Sequence, residues 1–313
     1  MSFACVFPGQ GSQSVGMLSD WAKADPVIAR TLAEAGEILG LDLAGMMRDG
    51  PAEVLDRTEN TQPAMLTAGV AAWRAYRAAG GPLPVAMAGH SLGEYTALVA
   101  AEAMSFADAL RLVRQRGLLM QEAVPAGTGA MAAVIGLEDA EVERVCAAAA
   151  NGAVCEAVNY NAPGQVVMAG DADAIQRAIL GAEEAGARKV VPLPVSVPSH
   201  STLMQSAAVR LAEVLEGVEI VPPSVPVIHN VDASEKPEPA SIREALAAQL
   251  WQPVRWVDCV RVLQARGART LLEMGPGKVL SGLARRIDRQ VAAVPVFDPA
   301  GLEKAMAAVV DAD

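Results

Sequence analysis

The chain has 313 residues, 52% of them hydrophobic and 19% charged, with a formal net charge of -11. That apolar content excludes a disordered chain, and no apolar run reaches the roughly 20 residues that span a bilayer. The acidic balance excludes a general binder of nucleic acid, which needs basic surface against phosphate, and confines any acidic partner to a local basic patch. Length sets about one to two domains, and a large enzyme domain with a smaller insert fits it. The four cysteines, Cys5, Cys146, Cys155 and Cys259, lie in apolar segments without CxxC or Cys/His ligand spacing. Reduced, buried thiols and no structural metal are the expectation, and with them a cytoplasmic setting.

The start, MSFACVFPGQG, has no basic residue before an apolar stretch that Pro8 and Gly9 cut short. It reads as a first strand, Phe3 to Phe7, and a tight loop, and not as a secretory leader. Helices follow, one of them predicted to open at Thr61 with Pro63 in its first turn and to close at Gly80 and Gly81. Pro84 to Ala88 reads as a second buried strand, and Glu94 to Ala101 has helix-forming composition. From Gly129 to Val195 the order is strand, helix near 138–150, two strands around Asn161 to Gly164, helix near 173–185, and the strand VVPLPV. This βαββαβ order is that of a ferredoxin-like module. It predicts a small subdomain over 127–196, inserted in a large α/β domain formed by 1–126 and 197–313. ARTLLEMGPG returns to the sheet of the large domain, and the Pro/Glu-rich stretch 234–239 is a loop.

Gly89-His90-Ser91-Leu92-Gly93 fits G-x-S-x-G between a predicted strand and a predicted helix, the context of a nucleophile elbow. Glycines two residues to either side let strand and helix approach without Cβ clashes and leave Ser91 on a sharp turn. The N–H of Leu92 then points where an oxyanion forms, and the helix N-terminus adds positive potential. An ordinary glycine-rich turn is the competing reading of so short a string. A serine hydroxyl needs a base, and the chain has three histidines. His90, adjacent to Ser91, diverges from it on a turn and is expected to pack or to bond backbone. His229, inside the apolar run VPVIHNV, reads as a satisfied core residue. His200 follows VVPLPVSVPS at a strand-to-helix boundary, where an imidazole reaches the end of the sheet, and is the favoured base.

Further strings accompany the elbow: FPGQGSQ at 7–13, TQPA at 61–64, GHSLGEYTAL at 89–98, RG at 116–117 with MQEAVPAGTGAMAAVIG at 120–136, VNYNAPGQVVMAG at 158–170, PVSVPSHS at 194–201, HNVDA at 229–233, QLWQPVRW at 249–256 and EMGPGKVLSGL at 273–283. In this succession the sequence resembles, almost from end to end, the malonyl-CoA:acyl carrier protein transacylases of bacterial fatty acid synthesis. The resemblance implies an α/β-hydrolase-like large domain with a parallel sheet. It implies ping-pong transfer of malonyl from malonyl-CoA to the phosphopantetheine thiol of acyl carrier protein through an ester on Ser91, for fatty acid synthesis, without metal or cofactor.

By the same resemblance His200 is base and later acid, and the backbone N–H groups of Gln10 and Leu92 form the oxyanion hole. The backbone carbonyl of Gln249 orients the histidine, so the site is a dyad without a carboxylate. Asn159 and Asn161 line the site, and His229 departs from a family pattern in which asparagine is frequent. Arg116 matches the arginine that pairs with the free carboxylate of malonate. Its planar fork suits a carboxylate as lysine cannot, a pair worth roughly 1.5 to 3 kcal/mol. Pairing of Arg116 with Glu122 on a solvated helix face is the alternative.

Acyl carrier proteins are acidic, so docking on this acidic chain needs a local basic surface. Lys278, Arg285, Arg286 and Arg289 are the candidates, against the reading of a solvated helix face, and a monomer is the expected state. Three other functions compete. A serine hydrolase of the α/β type orders its partners Ser, Asp/Glu, His and carries an HGGG-like loop, which this chain lacks. The acyl-loading subunit of malonate decarboxylase shares the fold, and a carrier-protein binding module without activity shows that fold does not fix chemistry. Nucleotide binding is discarded, because residues 9–16 do not give G-x-G-x-x-G and GPGK at 275–278 lacks the rest of a P-loop.

Overall fold

The structure, a computed structural model, describes residues 2–125, 127–195 and 197–310. Ala126 and Ser196, on which the expected subdomain boundaries fall, lie outside the described residues, as do Met1 and 311–313. In chain order the strands are β1 (Phe3–Phe7), β2 (Met87–Gly89), β3 (Gly129–Ile135), β4 (Cys155–Ala162), β5 (Gln165–Asp171), β6 (Lys189–Pro192), β7 (Val227–Ile228), β8 (Thr270–Met274) and β9 (Ala292–Val296). They form two sheets, a parallel one in the order β7-β2-β1-β8-β9 and an antiparallel one in the order β4-β5-β3-β6.

Every residue of β1, β2, β7 and β8 is buried, as a parallel sheet covered by helices on both faces requires. The chain leaves β1 toward β2 on one side and later places β8 on the other, so the order switches beside β1. Crevices at the carboxyl ends of strands form at such a switch. Phe7 stands level with Gly89 in the register of β1 and β2. The loop after β1, with Gln10, and the turn after β2, with Ser91, therefore leave the sheet side by side.

The antiparallel sheet has its own apolar cluster, in which Val134, Val166, Met168, Ile175 and Ala178 are buried together. It meets the rest of the chain through β4, where Tyr160 N–H donates to the Val254 carbonyl (3.0 Å) and Val254 N–H to that of Val158 (2.8 Å). Register shifts interrupt β4 between Ala157 and Asn159 and between Tyr160 and Ala162. Such bulges bend a strand and re-aim its side chains, here in the segment that carries Asn159 and Asn161. All four cysteines are free and buried, as expected, and among the described residues no helix is long and apolar enough to cross a membrane.

The long helix before β2 corrects the reading of its start. It runs Thr58–Ala78, so Pro63 lies inside it and not in its first turn. The carbonyl of Arg57 accepts from both Asn60 and Thr61 N–H at 2.8 Å, which nucleates the helix three residues early. Pro63 then forgoes only one intrahelical donor, close enough to the end for the helix to tolerate it. The Thr61 hydroxyl bonds the Leu55 carbonyl (2.6 Å), so it does not cap this helix.

Glu273, fully buried on β8, accepts from the N–H groups of Leu280 and Ser281 at 2.9 and 2.8 Å. It thereby ties the start of the helix Val279–Ile287 to the sheet. Burial pushes its carboxyl above the ordinary value, against the pull of these donors.

At the end of β2 the strand and the helix Gly93–Ala100 touch without room for a side chain. A Cβ on Gly93 would lie 2.0 Å from the Phe7 carbonyl oxygen, and one on Gly89 would lie 1.8 Å from the Gly93 carbonyl carbon. Both obstacles are main chain and cannot swing away. Gly93→Ala is therefore expected to destabilise the fold by about 3 kcal/mol or more, read as a loss of thermal stability beside a surface alanine variant such as Gln290→Ala.

Candidate active site

Ser91 occupies the left-handed region, at φ 51°. A non-glycine residue held there costs of order 1 to 3 kcal/mol, so its surroundings must hold it. The side chain of Asn230 does so through two bonds to the main chain that leads into the serine: its Oδ1 accepts from the Ser91 N–H (2.7 Å) and its Nδ2 donates to the Gly89 carbonyl (2.7 Å). Asn230 is held in turn by Glu94, whose Oε2 accepts from the Asn230 N–H (2.8 Å) while Oε1 meets His229 Nδ1 at 2.7 Å. Glu94, His229 and Asn230 are fully buried. His229 is thus a core histidine as expected, but not a satisfied one: it is bonded through Nδ1, while its buried Nε2 has no partner among the described residues.

The Ser91 hydroxyl lies 2.8 Å from His200 Nε2, and His200 Nδ1 lies 2.7 Å from the Gln249 backbone carbonyl. A carbonyl only accepts, so Nδ1 carries the proton and Nε2 presents its lone pair to the serine. The His200 N–H donates to the Leu250 carbonyl (2.8 Å), fixing the backbone from which the ring projects. Gln249 and Leu250 follow directly on the helix Pro239–Ala248, whose last carbonyls have no intrahelical donor. The histidine therefore docks on the negative end of a helix. Burial, and then the charge of Arg116, hold His200 far below its ordinary value, at about 3.

Arg116 is 1% exposed, inside the helix Phe106–Ala123. Its Nη2 donates to Gln249 Oε1 (3.0 Å) and stands 3.4 Å from the Ser91 hydroxyl, while its guanidinium carbon lies 5.4 Å from the centre of the Tyr95 ring. Pairing with Glu122 is excluded, because that residue takes Arg210 at 2.7 Å. No carboxylate pairs with Arg116 among the described residues, and its buried Nε has no partner. The site thus holds a buried cation that is not neutralised.

Gln10, Leu92, Arg116, Asn159 and His200 line one cleft with Ser91, closed on other sides by Met120, Met131, Leu193, Val195 and Val197. Neither the Gln10 nor the Leu92 N–H donates to another acceptor among the described residues. Asn159 Oδ1 is buried there without a partner. Asn161 lies in the adjoining cleft and faces His90, its Oδ1 2.7 Å from His90 Nε2. His90 packs, as expected, on Trp256, with ring centres 5.4 Å apart, and its Nε2 also bonds a side chain. Lys278, Arg285, Arg286 and Arg289 are exposed on or beside the helix Val279–Ile287, whose Val279, Leu280 and Leu283 line the adjoining cleft.

Residues 4–308 match the acyl transferase domain family. The malonyl CoA-acyl carrier protein transacylase of Salmonella typhimurium is 51% identical over 304 residues, 97% of this chain and 98% of that protein. The chain belongs to the malonyl CoA-acyl carrier protein transacylase family and is an acyltransferase. A solved acyl carrier protein S-malonyltransferase from Vibrio cholerae is 53% identical, covers 97% of this chain and 99% of its own, and superposes with a TM-score of 0.94. A solved malonyl-transacylase in complex with its type II PKS acyl-carrier protein is 50% identical, covers 98% and 100%, and gives a TM-score of 0.97.

Reading the sequence of this acyltransferase missed the brace made by Glu94 and Asn230. Its one signal was a carboxylate in the apolar part of GHSLGEYTAL, since a buried charge requires partners. The side chain of Gln249 was also missed, as only its backbone had been assigned a part.

The geometry has a pH consequence. A histidine held low stays neutral, and so remains a base, down to about pH 3. In the unfolded chain it takes a proton below about pH 6.5, so its burial weakens the fold progressively as pH falls from there toward 3. Labelling of Ser91 by an uncharged fluorophosphonate is expected to hold its rate from pH 8 to pH 5 while the protein stays folded. An unperturbed histidine would lose roughly thirtyfold over that range, and a fall of that size would refute the assignment.

Proposed function

We propose that this enzyme moves a malonyl group from malonyl-CoA to the phosphopantetheine thiol of acyl carrier protein through an ester on Ser91, supplying malonyl carrier for fatty acid synthesis. The observation that carries the substrate is Arg116, a buried cation without a carboxylate partner among the described residues, 3.4 Å from the hydroxyl that would attack. A charge held so is stabilised most by an anion that arrives with the substrate. Malonyl brings its free carboxylate two bonds beyond the reacting carbonyl carbon, and acetyl brings none. Relatives and solved neighbours bear names for this activity, and one is seen with its carrier protein.

In the first half-reaction His200 Nε2 takes the Ser91 proton as Oγ attacks the thioester carbonyl. The N–H groups of Gln10 and Leu92 hold the oxyanion, and such a donor is worth about 3 to 4 kcal/mol in barrier. The C–S bond breaks, His200 returns the proton, and coenzyme A leaves as a thiol. In the second, His200 deprotonates the pantetheine thiol, whose sulfur attacks the ester, and Ser91 leaves with the proton restored, giving ping-pong kinetics. The imidazolium formed midway is met by the Gln249 carbonyl at a helix end, which favours positive charge. The apolar wall of the cleft limits water, which would hydrolyse the ester.

We read the large sheet as that of a hydrolase-like domain and the small one as ferredoxin-like. The support for the latter is that βαββαβ connectivity gives the observed order β4-β5-β3-β6, with an apolar cluster of its own. The carrier is assigned to the exposed cations of the helix Val279–Ile287, at the edge of the cleft that adjoins Ser91.

Two measurements test this. Intact mass after exposure to malonyl-CoA should show one malonyl adduct on the wild type and none on Ser91→Ala; a label kept by that variant places the nucleophile elsewhere. Arg285→Glu with Arg286→Glu should raise KM for carrier protein about tenfold or more at low salt and leave KM for malonyl-CoA in place; unchanged behaviour removes the patch.

A further inference from the structure

Gln249 bonds His200, Arg116 and the Ser91 backbone at once. Its backbone carbonyl meets His200 Nδ1 at 2.7 Å, its Oε1 accepts from Arg116 Nη2 at 3.0 Å, and its Nε2 donates to the Ser91 carbonyl at 3.1 Å. The residue is wholly buried. The direction of its amide is dictated by its neighbours, since a guanidinium only donates and a carbonyl only accepts. Among the protein side chains, only a primary amide offers a donor and an acceptor side by side without charge. A carboxylate in its place would face the Ser91 carbonyl with like polarity and neutralise Arg116. A thioether or alkyl chain would hold neither group.

Arg116 has little else to fix it. Its Nε is without a partner, no carboxylate pairs with it among the described residues, and the Tyr95 ring sits 5.4 Å away. Among the described residues the Gln249 amide, at 3.0 Å against 3.4 Å for the Ser91 hydroxyl, is thus the nearer of the two neutral acceptors that locate the guanidinium fork while leaving its charge free.

We propose that the Gln249 side chain is a positioning group for acyl selectivity: it aims the Arg116 guanidinium at the carboxylate of the incoming acyl group, separately from the hold of its backbone on His200. This rests on the reading of Arg116 as the malonyl-binding cation. The bond to Ser91 serves every acyl donor alike, whereas the bond to Arg116 serves only donors with a distal carboxylate. Selectivity, the ratio of kcat/KM for malonyl-CoA to that for acetyl-CoA, therefore isolates the second bond.

The test compares wild type, Gln249→Met, Gln249→Glu and Arg116→Ala, with malonyl-CoA and acetyl-CoA as donors and holo carrier protein as acceptor. Gln249→Met keeps the backbone carbonyl and similar volume, and should lower the ratio about ten- to hundredfold, the worth of a hydrogen bond to a charged group. The loss should appear in KM for malonyl-CoA more than in kcat. Gln249→Glu should lower the ratio at least as far, by pairing with Arg116. A ratio left intact by Gln249→Met while Arg116→Ala collapses it overturns the role of Gln249 and leaves the reading of Arg116 standing. A ratio left intact by Arg116→Ala overturns both. Should the melting curve show that Gln249→Met does not fold, Gln249→Glu decides alone, an unchanged ratio refuting the proposal.

Discussion

Contact of the start of the helix Gly93–Ala100 with the ends of β2 and β1 leaves no space for a Cβ at Gly89 or Gly93, and the chain between them must turn within three residues. Ser91 takes the left-handed bend at that turn. Strain of this kind persists only where neighbours over-determine it, and here Asn230 bonds the main chain leading into the serine, at the Gly89 carbonyl and the Ser91 N–H, while the Gln249 amide takes the Ser91 carbonyl beyond it. The brace continues through Glu94, which belongs to the very helix that the turn begins. Strand, turn, helix and brace close on one another, and the hydroxyl is what remains outside the loop of contacts.

Charge at the site follows a single logic. His200 is met by a helix-end carbonyl where a serine hydrolase places a carboxylate. A full negative charge there would stand within the same few side chains as Arg116 and would neutralise it. With partial charges only, from the Gln249 carbonyl and amide, the cation keeps its field for a ligand. Burial first, and that field second, depress the basicity of His200.

Much of the scaffold could be read from residue order. Phe3–Phe7 is a run of apolar residues ended by Pro8 and Gly9, and it folds as the central strand with those bounds. The elbow was legible because two glycines at fixed offsets serve one steric need. The start of the helix Thr58–Ala78 was not, because a proline that suits a first turn is also tolerated one turn deeper when Arg57 supplies the nucleating carbonyl. Partners distant in sequence were beyond reach for a different reason. Asn230 is 139 residues from Ser91, and nothing local in HNVDA tells a loop asparagine from one that clamps a nucleophile. Arg116 is ambiguous in sequence, and the fold separates the two readings by giving Glu122 to Arg210.

The buried carboxylate of Glu273 has a consequence for how such an enzyme changes partners. It grips the helix Val279–Ile287 by main-chain amides, and Leu280 and Leu283 anchor the inner face. None of these attachments involves the outward cations. Substitution can therefore rewrite the outer face of that helix while its axis stays in place, so that, with the carrier docked as proposed, adaptation to a different carrier would leave the chemistry behind it undisturbed.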